Sequence, residues 1–439
     1  MHFRFGAELA VTEPTVRTAV KATLITMGLH ALCTIAMIVP GLLAPVAAAD
    51  FGADPSRVGV IVAVIYVGII PASLASGRVI ARFGDLGAGR FSGWLCALSM
   101  LLAALAGWGA SMSDPASRPL LLGAAIGAVL FASGLAQGLG YGIINPVGSQ
   151  ILFRATPAAI RSFVFSIKQS AVPIGQMVAG LLIPSLLLLV GWQVVVFVVA
   201  LLIVAYTIAM AYMRLETAEG PAPKSAVSKA PFNLRRAFTD FISPARVVWA
   251  NAELRDLAWV GILYSASQLC LTSFLVSYLN LEVGLSLVLA GSLFSASQFG
   301  GMIGRVTWGY VADRWVTPRV QLGALGVIGG VCGLLATFFS PQWPLAGIAI
   351  VSLVYGASSA SWNGVYFAEV ARLCPQGEVG RMTGGLQFYM SVGAGIGPLL
   401  FSGLVGAAGS YAPGFALSAL PGLVIGVLVM RRRHPVAGA

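Results

Sequence analysis

The chain has 439 residues, of which 58% are hydrophobic and only 9% are charged. This composition lies far outside the range of soluble globular proteins and excludes a water-soluble enzyme or binding domain. The net charge of +11 suits the anionic headgroups at the inner surface of a membrane, so we do not expect a nucleic-acid partner.

Twelve apolar segments are long enough to cross about 30 Å of hydrocarbon, and they predict twelve transmembrane helices. Six lie near residues 22–46, 57–77, 92–111, 120–150, 161–188 and 192–213. The other six lie near residues 256–281, 286–310, 320–340, 344–371, 381–404 and 411–430. We therefore expect an all-α membrane protein with six helices in each half.

These segments divide the chain into five parts. They are a cytoplasmic N-terminal tail (1–20), an N-terminal six-helix bundle (21–213), a cytoplasmic interdomain linker (214–255), a C-terminal six-helix bundle (256–430) and a cytoplasmic tail (431–439). Within the linker, the stretch from Phe232 to Trp249 mixes aromatic and basic residues. This mixture predicts an interfacial helix along the inner headgroup surface.

The basic residues set the expected orientation. All Lys and Arg residues except Arg57, Arg118 and Lys168 fall in the termini or in the even-numbered turns between segments, with Arg305 counted at a segment end. Short loops rich in Lys and Arg stay on the cytoplasmic side. Both termini are therefore predicted to be cytoplasmic, in the inner membrane of a bacterium.

The two halves are faint copies of each other. A shift of 218 positions places Asn145 on Asn363, and a shift of 232 positions places Gly68 on Gly300. In membrane proteins, parallel repeats related by an axis along the membrane normal share a cavity between them near the bilayer midplane. The repeat thus predicts two pseudo-symmetric bundles around a central path for a solute.

A glycine followed four residues later by Asp-Arg or Ala-Arg occurs in the turns after the eighth and second segments. These residues are Gly309, Asp313 and Arg314 in the second half and Gly77, Ala81 and Arg82 in the first. The pattern resembles the cytoplasmic signature of the major facilitator superfamily. The resemblance implies the fold of that family, alternating access and a cytoplasmic gate at these turns. Ala81 departs from the pattern, so the acidic latch is intact only around Asp313.

Two further features are assigned to the same gate. Its glycines are expected to let neighbouring helices approach closely. Glu369 and Arg372 lie three residues apart at the inner end of the tenth segment, where such residues can pair. Glu369 is predicted to bind Arg372, Arg305 or Arg314 as part of the gate. A simple ion pair at the interface is the alternative.

Lys168 lies roughly 10 Å inside the fifth segment, where inserting a lysine costs about 2.5–3.5 kcal/mol. We interpret it as an anion-binding residue that faces the cavity; the alternative is that its long side chain extends back to the inner interface. His30 lies at a similar depth in the first segment. It is predicted to share the site or to carry a proton, and its alternative role is a hydrogen-bonded histidine between helices.

Uncharged polar side chains from other segments are predicted to line the same cavity. They are Gln137, Asn145, Gln169, Gln268, Gln298, Asn363, Gln387 and Tyr389. The five cysteines show no paired or metal-like spacing, so neither a metal site nor another cofactor is expected. We expect a monomer in contact with membrane lipids and a small-molecule solute, with protons as a candidate coupling ion.

Charge favours an anionic solute. No Asp or Glu lies in the middle of a predicted segment, so the deep charge is positive and indicates a small anion or a weak organic acid. The stretch Ser166–Gln169 with Pro173 and Gly175 resembles the cyanate-permease-like and organic-anion branches of the superfamily.

Two other functions stay open on sequence grounds. One is a proton-coupled exporter of neutral or cationic drugs, although the fifth segment lacks the Gly-Pro pair that marks such exporters. The other is a receptor that binds without transport. The sequence contains no catalytic motif, so an enzyme is not expected.

Overall fold

The computed structural model describes residues 15–213, 215, 243–374 and 379–431, and this part of the chain is helical without strands. Eleven of its helical segments are long and apolar enough to cross a membrane, and a shorter apolar helix spans Ala412–Leu428. The all-helical prediction is therefore confirmed, and twelve spans are consistent with this count. Residues 216–242, which include most of the predicted interfacial helix, lie outside the described residues.

The first half contains seven helices. They are α1 (Val16–Ala47), α2 (Val58–Phe83), α3 (Asp85–Ser111), α4 (Leu120–Ala155), α5 (Arg161–Gln169), α6 (Ala171–Leu186) and α7 (Trp192–Tyr212). Helix α1 begins five residues before the predicted bundle boundary, because the Thr15 side chain accepts a hydrogen bond from the Thr18 amide and caps the helix there.

The second half begins with a short helix, α8, over residues 243–250. It continues with α9 (Ala252–Ser277), a π turn (Tyr278–Glu282), α10 (Leu287–Arg314), α11 (Pro318–Ala336), α12 (Leu345–Ser359), α13 (Asn363–Leu373), α14 (Val379–Ala408) and α15 (Ala412–Arg431). The fifth span therefore consists of α5 and α6, and the tenth consists of α12 and α13.

Equivalent helices pack together in the two halves. Helix α2 packs on α4 as α10 packs on α12, α3 packs on α7 as α11 packs on α15, and α1 packs on α6 as α9 packs on α14. The structure therefore has the two repeat-related bundles that the sequence predicts.

Glycine strips bring helices within each bundle close together. A Cβ added to Gly142 would lie 2.7 Å from the Ile69 carbonyl oxygen, and one added to Gly68 would lie 2.8 Å from that of Leu135. Any side chain at these positions would push α2 and α4 apart. Gly134, Gly138 and Gly142, spaced four residues apart on α4, all face α2 and allow this close packing.

The two halves meet at the end of the bundle far from the termini, which we call the outer end; the opposite end, where α1 begins and α15 ends, is the inner end. At the outer end Ser402 of α14 accepts a hydrogen bond from the Gly59 amide at 3.1 Å and donates one to the Ser56 carbonyl. Ser295 of α10 donates to the Met177 carbonyl of α6 at 2.9 Å. The outer end is closed.

The inner ends of α2 and α10 are more open. A Cβ added to Gly77 or Gly309 would meet no atom within 4 Å. The close helix approach predicted at these two gate glycines is therefore wrong for this conformation. The physical reason is that the halves are in contact at the opposite end of the bundle, so no neighbouring helix lies against these two glycines here.

Candidate functional site

Lys168 lies at the C-terminal end of α5 and its side chain is buried, with 1% of its surface exposed. Its Nζ donates a hydrogen bond to Asn145 Oδ1 of α4 at 2.5 Å. The ammonium therefore ends on a neighbouring helix and does not extend to the inner surface of the bundle. Asn145, which the sequence assigned to the same cavity, is exposed.

Space for this ammonium comes from a glycine that the sequence analysis did not single out. A Cβ at Gly148, one helical turn after Asn145, would lie 3.0 Å from Lys168 Cε and 3.4 Å from its Nζ, with Thr26 of α1 at 3.6 Å. Gly148 thus shapes a recess between α1, α4 and α5. A spacing of three residues from Asn145 on the same helix was the signal that could have found it.

His30 of α1 is buried, with 3% of its surface exposed. Its ring meets the edge of the Tyr141 ring with 5.7 Å between the centroids. Its Nδ1 has no hydrogen-bond partner among the described residues. The alternative of a fully hydrogen-bonded histidine does not describe this ring, since one of its nitrogens is left available.

Arg305 of α10 reaches the same region from the second half. Its Nη1 donates to the Gln169 carbonyl of α5 at 2.8 Å, and its Nη2 and Nε donate to the Ala360 carbonyl at 3.2 and 3.3 Å. The Gln169 carbonyl belongs to the residue next to Lys168. The guanidinium therefore lies beside the Lys168 recess, and it bridges the two halves.

The prediction that Arg305 lies at a segment end is wrong, and its partners are the Gln169 and Ala360 carbonyls rather than Glu369. It lies nine residues before the end of α10 at Arg314, and nine helical residues correspond to about 13 Å. That depth matches the depth of Lys168 and was a signal in the sequence. Gly304 allows the placement, because a Cβ there would lie 2.5 Å from the Ala357 carbonyl of α12.

These groups form a positively charged centre. Lys168 and Arg305 both interact electrostatically with the His30 ring, and Arg305 also interacts with Tyr141. Within the described residues, no carboxylate forms a salt bridge with Lys168 or Arg305. Buried charges are ordinarily paired, so this centre is suited to an anion that comes from outside the chain.

The other predicted lining residues are distributed more widely. Gln137 is buried and donates to the Cys33 carbonyl of α1, and Gln298 is buried and donates to the neighbouring Ser297 hydroxyl. Gln268 accepts from the Trp362 indole at 3.1 Å. Asn363 is half-buried at the start of α13, and Gln169 and Gln387 are exposed.

The structure places Tyr389 away from this centre. Its hydroxyl donates to the Ala245 carbonyl of α8 at 3.0 Å, and its ring stacks on Trp249 with 5.5 Å between the centroids. Tyr389 therefore holds α8 against α14, and its assignment as a lining residue is wrong.

Glu369 is fully buried, and both of its oxygens accept hydrogen bonds from Arg372, at 2.7 and 2.8 Å. This bidentate contact raises the pKa of the Arg372 guanidinium, which lies in the last turn of α13, beyond Val370, the last residue of the apolar membrane-spanning stretch. Of the three partners considered for Glu369, the structure selects the residue on its own helix.

Several gate arginines contact aromatic rings or other carboxylates. Arg82 lies 5.6 Å from the ring centroid of Phe83, and Arg314 lies 4.6 Å from that of Tyr310. Arg154 pairs with Asp85 at the start of α3, with 3.3 Å between Nη1 and Oδ2. The side chain of Asp313 lies outside the described residues.

Two repeat-related bundles with a buried cationic centre between them define a membrane transporter. The sequence model of the protein family described as Major Facilitator Superfamily matches residues 25–384 of the chain. The chain therefore belongs to this family and is an integral membrane transporter of a small-molecule solute, not an enzyme. The resemblance seen in its sequence motifs is confirmed.

Transporters with modest sequence identity are among the relatives of the chain. A 4-hydroxybenzoate transporter, PcaK, of Acinetobacter baylyi is 26% identical over 350 residues, covering 71% of this chain and 70% of that protein. A hexuronate transporter of Bacillus subtilis is 22% identical over 320 residues, covering 69% and 72%. An MFS-type transporter of Gibberella moniliformis is 29% identical over 149 residues, and the match spans only 35% of its length and 34% of this chain.

Solved structures share the fold. The D-xylose-proton symporter superposes with a TM-score of 0.68 at 15% identity, covering 95% of this chain and 98% of that one. The nucleoside transporter NupG superposes with a TM-score of 0.69 at 13% identity, covering 94% and 99%.

Proposed function

We propose that the protein is a secondary transporter of small organic anions, and that it binds the carboxylate of its solute between Lys168 and Arg305. The observation that carries this proposal is the buried Lys168 ammonium, which has an amide oxygen and no carboxylate as its partner among the described residues. A buried ammonium with one neutral acceptor is costly. A solute carboxylate would supply the missing negative charge.

The two cations offer complementary chemistry. An ammonium is a compact charge with three donors, whereas a guanidinium is a planar fork that matches the two oxygens of a carboxylate. Lys168 belongs to the first half and Arg305 to the second, so one carboxylate bound to both would connect the two bundles. The His30 Nδ1 and the Tyr141 ring lie beside this position and are suited to the remainder of the solute.

The relatives support the same class of solute. The names of the Acinetobacter baylyi and Bacillus subtilis proteins describe transporters of 4-hydroxybenzoate and hexuronate, which are both carboxylates. We therefore assign the solute to the organic acids. A lipophilic cation, as expected for a drug exporter, would meet two like charges at this centre.

The proposed orientation follows from the distribution of basic residues. With the inner end of the bundle facing the cytoplasm, both termini are cytoplasmic and the protein is an inner-membrane transporter. The closed outer end then makes this conformation the inward-facing state of an alternating-access cycle.

Flux measurements test the proposal. The purified protein is reconstituted in liposomes, and uptake of labelled 4-hydroxybenzoate, glucuronate, nitrate and tetraphenylphosphonium is measured with and without a pH gradient. We expect saturable uptake of at least one of the two carboxylates, and uptake of the lipophilic cation no greater than in protein-free liposomes. Uptake of tetraphenylphosphonium without either carboxylate would contradict the proposal and favour a drug exporter. Acceleration by an inward pH gradient would identify the proton as the coupling ion.

A further inference from the structure

Arg305 is bonded to backbone carbonyls alone within the described residues, and these carbonyls belong to different halves of the protein. The Gln169 carbonyl lies in the first half, 2.8 Å from Nη1, and the Ala360 carbonyl lies in the second half, 3.2 Å from Nη2. A guanidinium in the centre of a membrane protein needs acceptors for its donors. Both carbonyls can accept these hydrogen bonds because each lies at the C-terminal end of a helix.

The Gln169 carbonyl is available because of a proline. In an α-helix the carbonyl of residue 169 accepts its hydrogen bond from the amide of residue 173. Residue 173 is Pro173, which has no N–H. Helix α5 ends at Gln169 and α6 begins at Ala171. The Gln169 carbonyl at this junction therefore receives no hydrogen bond from the backbone of residue 173.

The Ala360 carbonyl is available for a related reason. Ala360 caps the C-terminal end of α12 directly after Ser359, before α13 begins at Asn363. The last four carbonyls of a helix have no partner within the helix. Arg305 therefore joins two helix ends, and the carbonyl ends of helices carry partial negative charge.

The two carbonyls accept hydrogen bonds from the Arg305 guanidinium as a carboxylate would, but these bonds are weaker. A hydrogen bond from a guanidinium to a carboxylate is roughly twice as strong as one to a neutral acceptor. An anion that binds the Lys168 ammonium lies close to the Arg305 guanidinium, because this guanidinium contacts the carbonyl of the next residue, Gln169. It can replace the Gln169 carbonyl as an acceptor without moving the Arg305 backbone.

We propose that the Gln169 carbonyl, freed by Pro173, is a built-in substitute for the solute carboxylate on Arg305. In the unloaded carrier this carbonyl holds the guanidinium and links the two halves, and the arriving anion displaces it. The inference rests on the proposed function, since it requires a carboxylate at Lys168 and Arg305. It assigns Pro173 as a positioning residue whose role is to leave one acceptor free.

Two consequences can be measured. If residue 173 regains an N–H, the Gln169 carbonyl is occupied within the helix and competes less for Arg305, so carboxylates should bind more tightly. The unloaded carrier then lacks an acceptor for its guanidinium during its return, so net uptake should slow. Exchange of internal for external solute involves only loaded carriers and should keep its rate.

The test is Pro173→Ala in the full-length protein, with Pro421→Ala as its matched control. Pro173 lies in the first turn of α6, whereas Pro421 lies inside α15, in the twelfth span, and is not part of the proposed site. Titration calorimetry measures the Kd for 4-hydroxybenzoate and glucuronate, and proteoliposomes measure net uptake and exchange. Pro173→Val restores the same N–H with a side chain close to proline in size, and it repeats the test if the alanine variant is unstable.

We expect Pro173→Ala to lower the Kd by about two- to tenfold, the change that one ordinary hydrogen bond produces, and to raise the ratio of exchange to net uptake. Pro421→Ala should change neither quantity. An unchanged Kd and ratio in Pro173→Ala, or equal changes in Pro421→Ala, would overturn this inference and leave the proposed function intact. Failure of the unmodified protein to bind or transport either carboxylate would overturn the proposed function and this inference with it.

Discussion

Replacing Lys168 by methionine is expected to lower the affinity for the solute carboxylate by about thirtyfold or more. Removing one member of a buried, hydrogen-bonded charge pair costs about 2–5 kcal/mol, and each 1.4 kcal/mol is a factor of ten. Methionine is close to lysine in length and keeps the packing against Gly148. Titration calorimetry with the carboxylates transported by the unmodified protein measures the effect.

Stability separates a lost binding site from a misfolded protein. The Lys168→Met variant replaces a buried ammonium by an apolar side chain, so its thermal midpoint should stay equal or rise. Lys21→Met is the matched control, because Lys21 is exposed near the start of α1. A Kd within threefold of the unmodified protein in Lys168→Met, or an equal loss in Lys21→Met, would remove Lys168 from the site.

Replacing Gly59 by leucine is expected to slow transport strongly by disfavouring closure of the outer end. Gly59 lies in the first turn of α2, against the Pro398 carbonyl and the Ser402 side chain of α14. A leucine cannot occupy this space unless the two halves separate there. Overpacking of this kind costs about 1–3 kcal/mol, which lowers the equilibrium ratio of the state closed at the outer end to the open state by about five- to 150-fold.

Spin labels measure this change directly. One label on Ser117 in the first half and one on Gln342 in the second, both exposed in outer loops, report the separation of the halves. Gly59→Leu should lengthen this distance and reduce net uptake. Gly403→Leu is the control, because a Cβ at the exposed Gly403 meets no atom within 4 Å. A distance unchanged by Gly59→Leu would mean that the outer contact can form without the glycine.

The sequence predicted the architecture because its strongest signals are one-dimensional. The apolar segments, the repeat and the motif around Gly309 each depend on position along the chain. Depth along a helix is also one-dimensional, and it placed Lys168 and His30 at a common level. Arg305 lies at a similar depth, but it was grouped with the basic residues of the loops and was therefore not predicted to belong to the site.

The direction in which a side chain points around its helix was harder to predict. Helices in lipid are apolar around most of their circumference, so the amphipathic pattern that orients a surface helix in water is absent. This explains why Tyr389 was assigned to the cavity although it faces α8. For the same reason, the hydrogen bond from Gln137 to the Cys33 carbonyl of α1 could not be predicted.

Ion pairs between segments that are distant in the sequence could not be predicted either. Arg154 has no acidic neighbour in the sequence, yet it pairs with Asp85, 69 residues earlier in the chain. The repeat-related Arg372 instead pairs with Glu369 on its own helix. The duplication therefore preserved the two arginines, while their carboxylate partners come from different elements and could not be derived from the repeat.

The location of a bound carboxylate tests the central claim most directly. A structure of the full-length protein in complex with 4-iodobenzoate allows the iodine to be located by its anomalous scattering, which also fixes the direction of the carboxylate. We expect the carboxylate between Lys168 and Arg305, with the Arg305 guanidinium moved from the Gln169 carbonyl to the ligand and the ring beside His30 and Tyr141. A ligand bound elsewhere in the bundle, with the bond from Arg305 to Gln169 intact, would contradict the account.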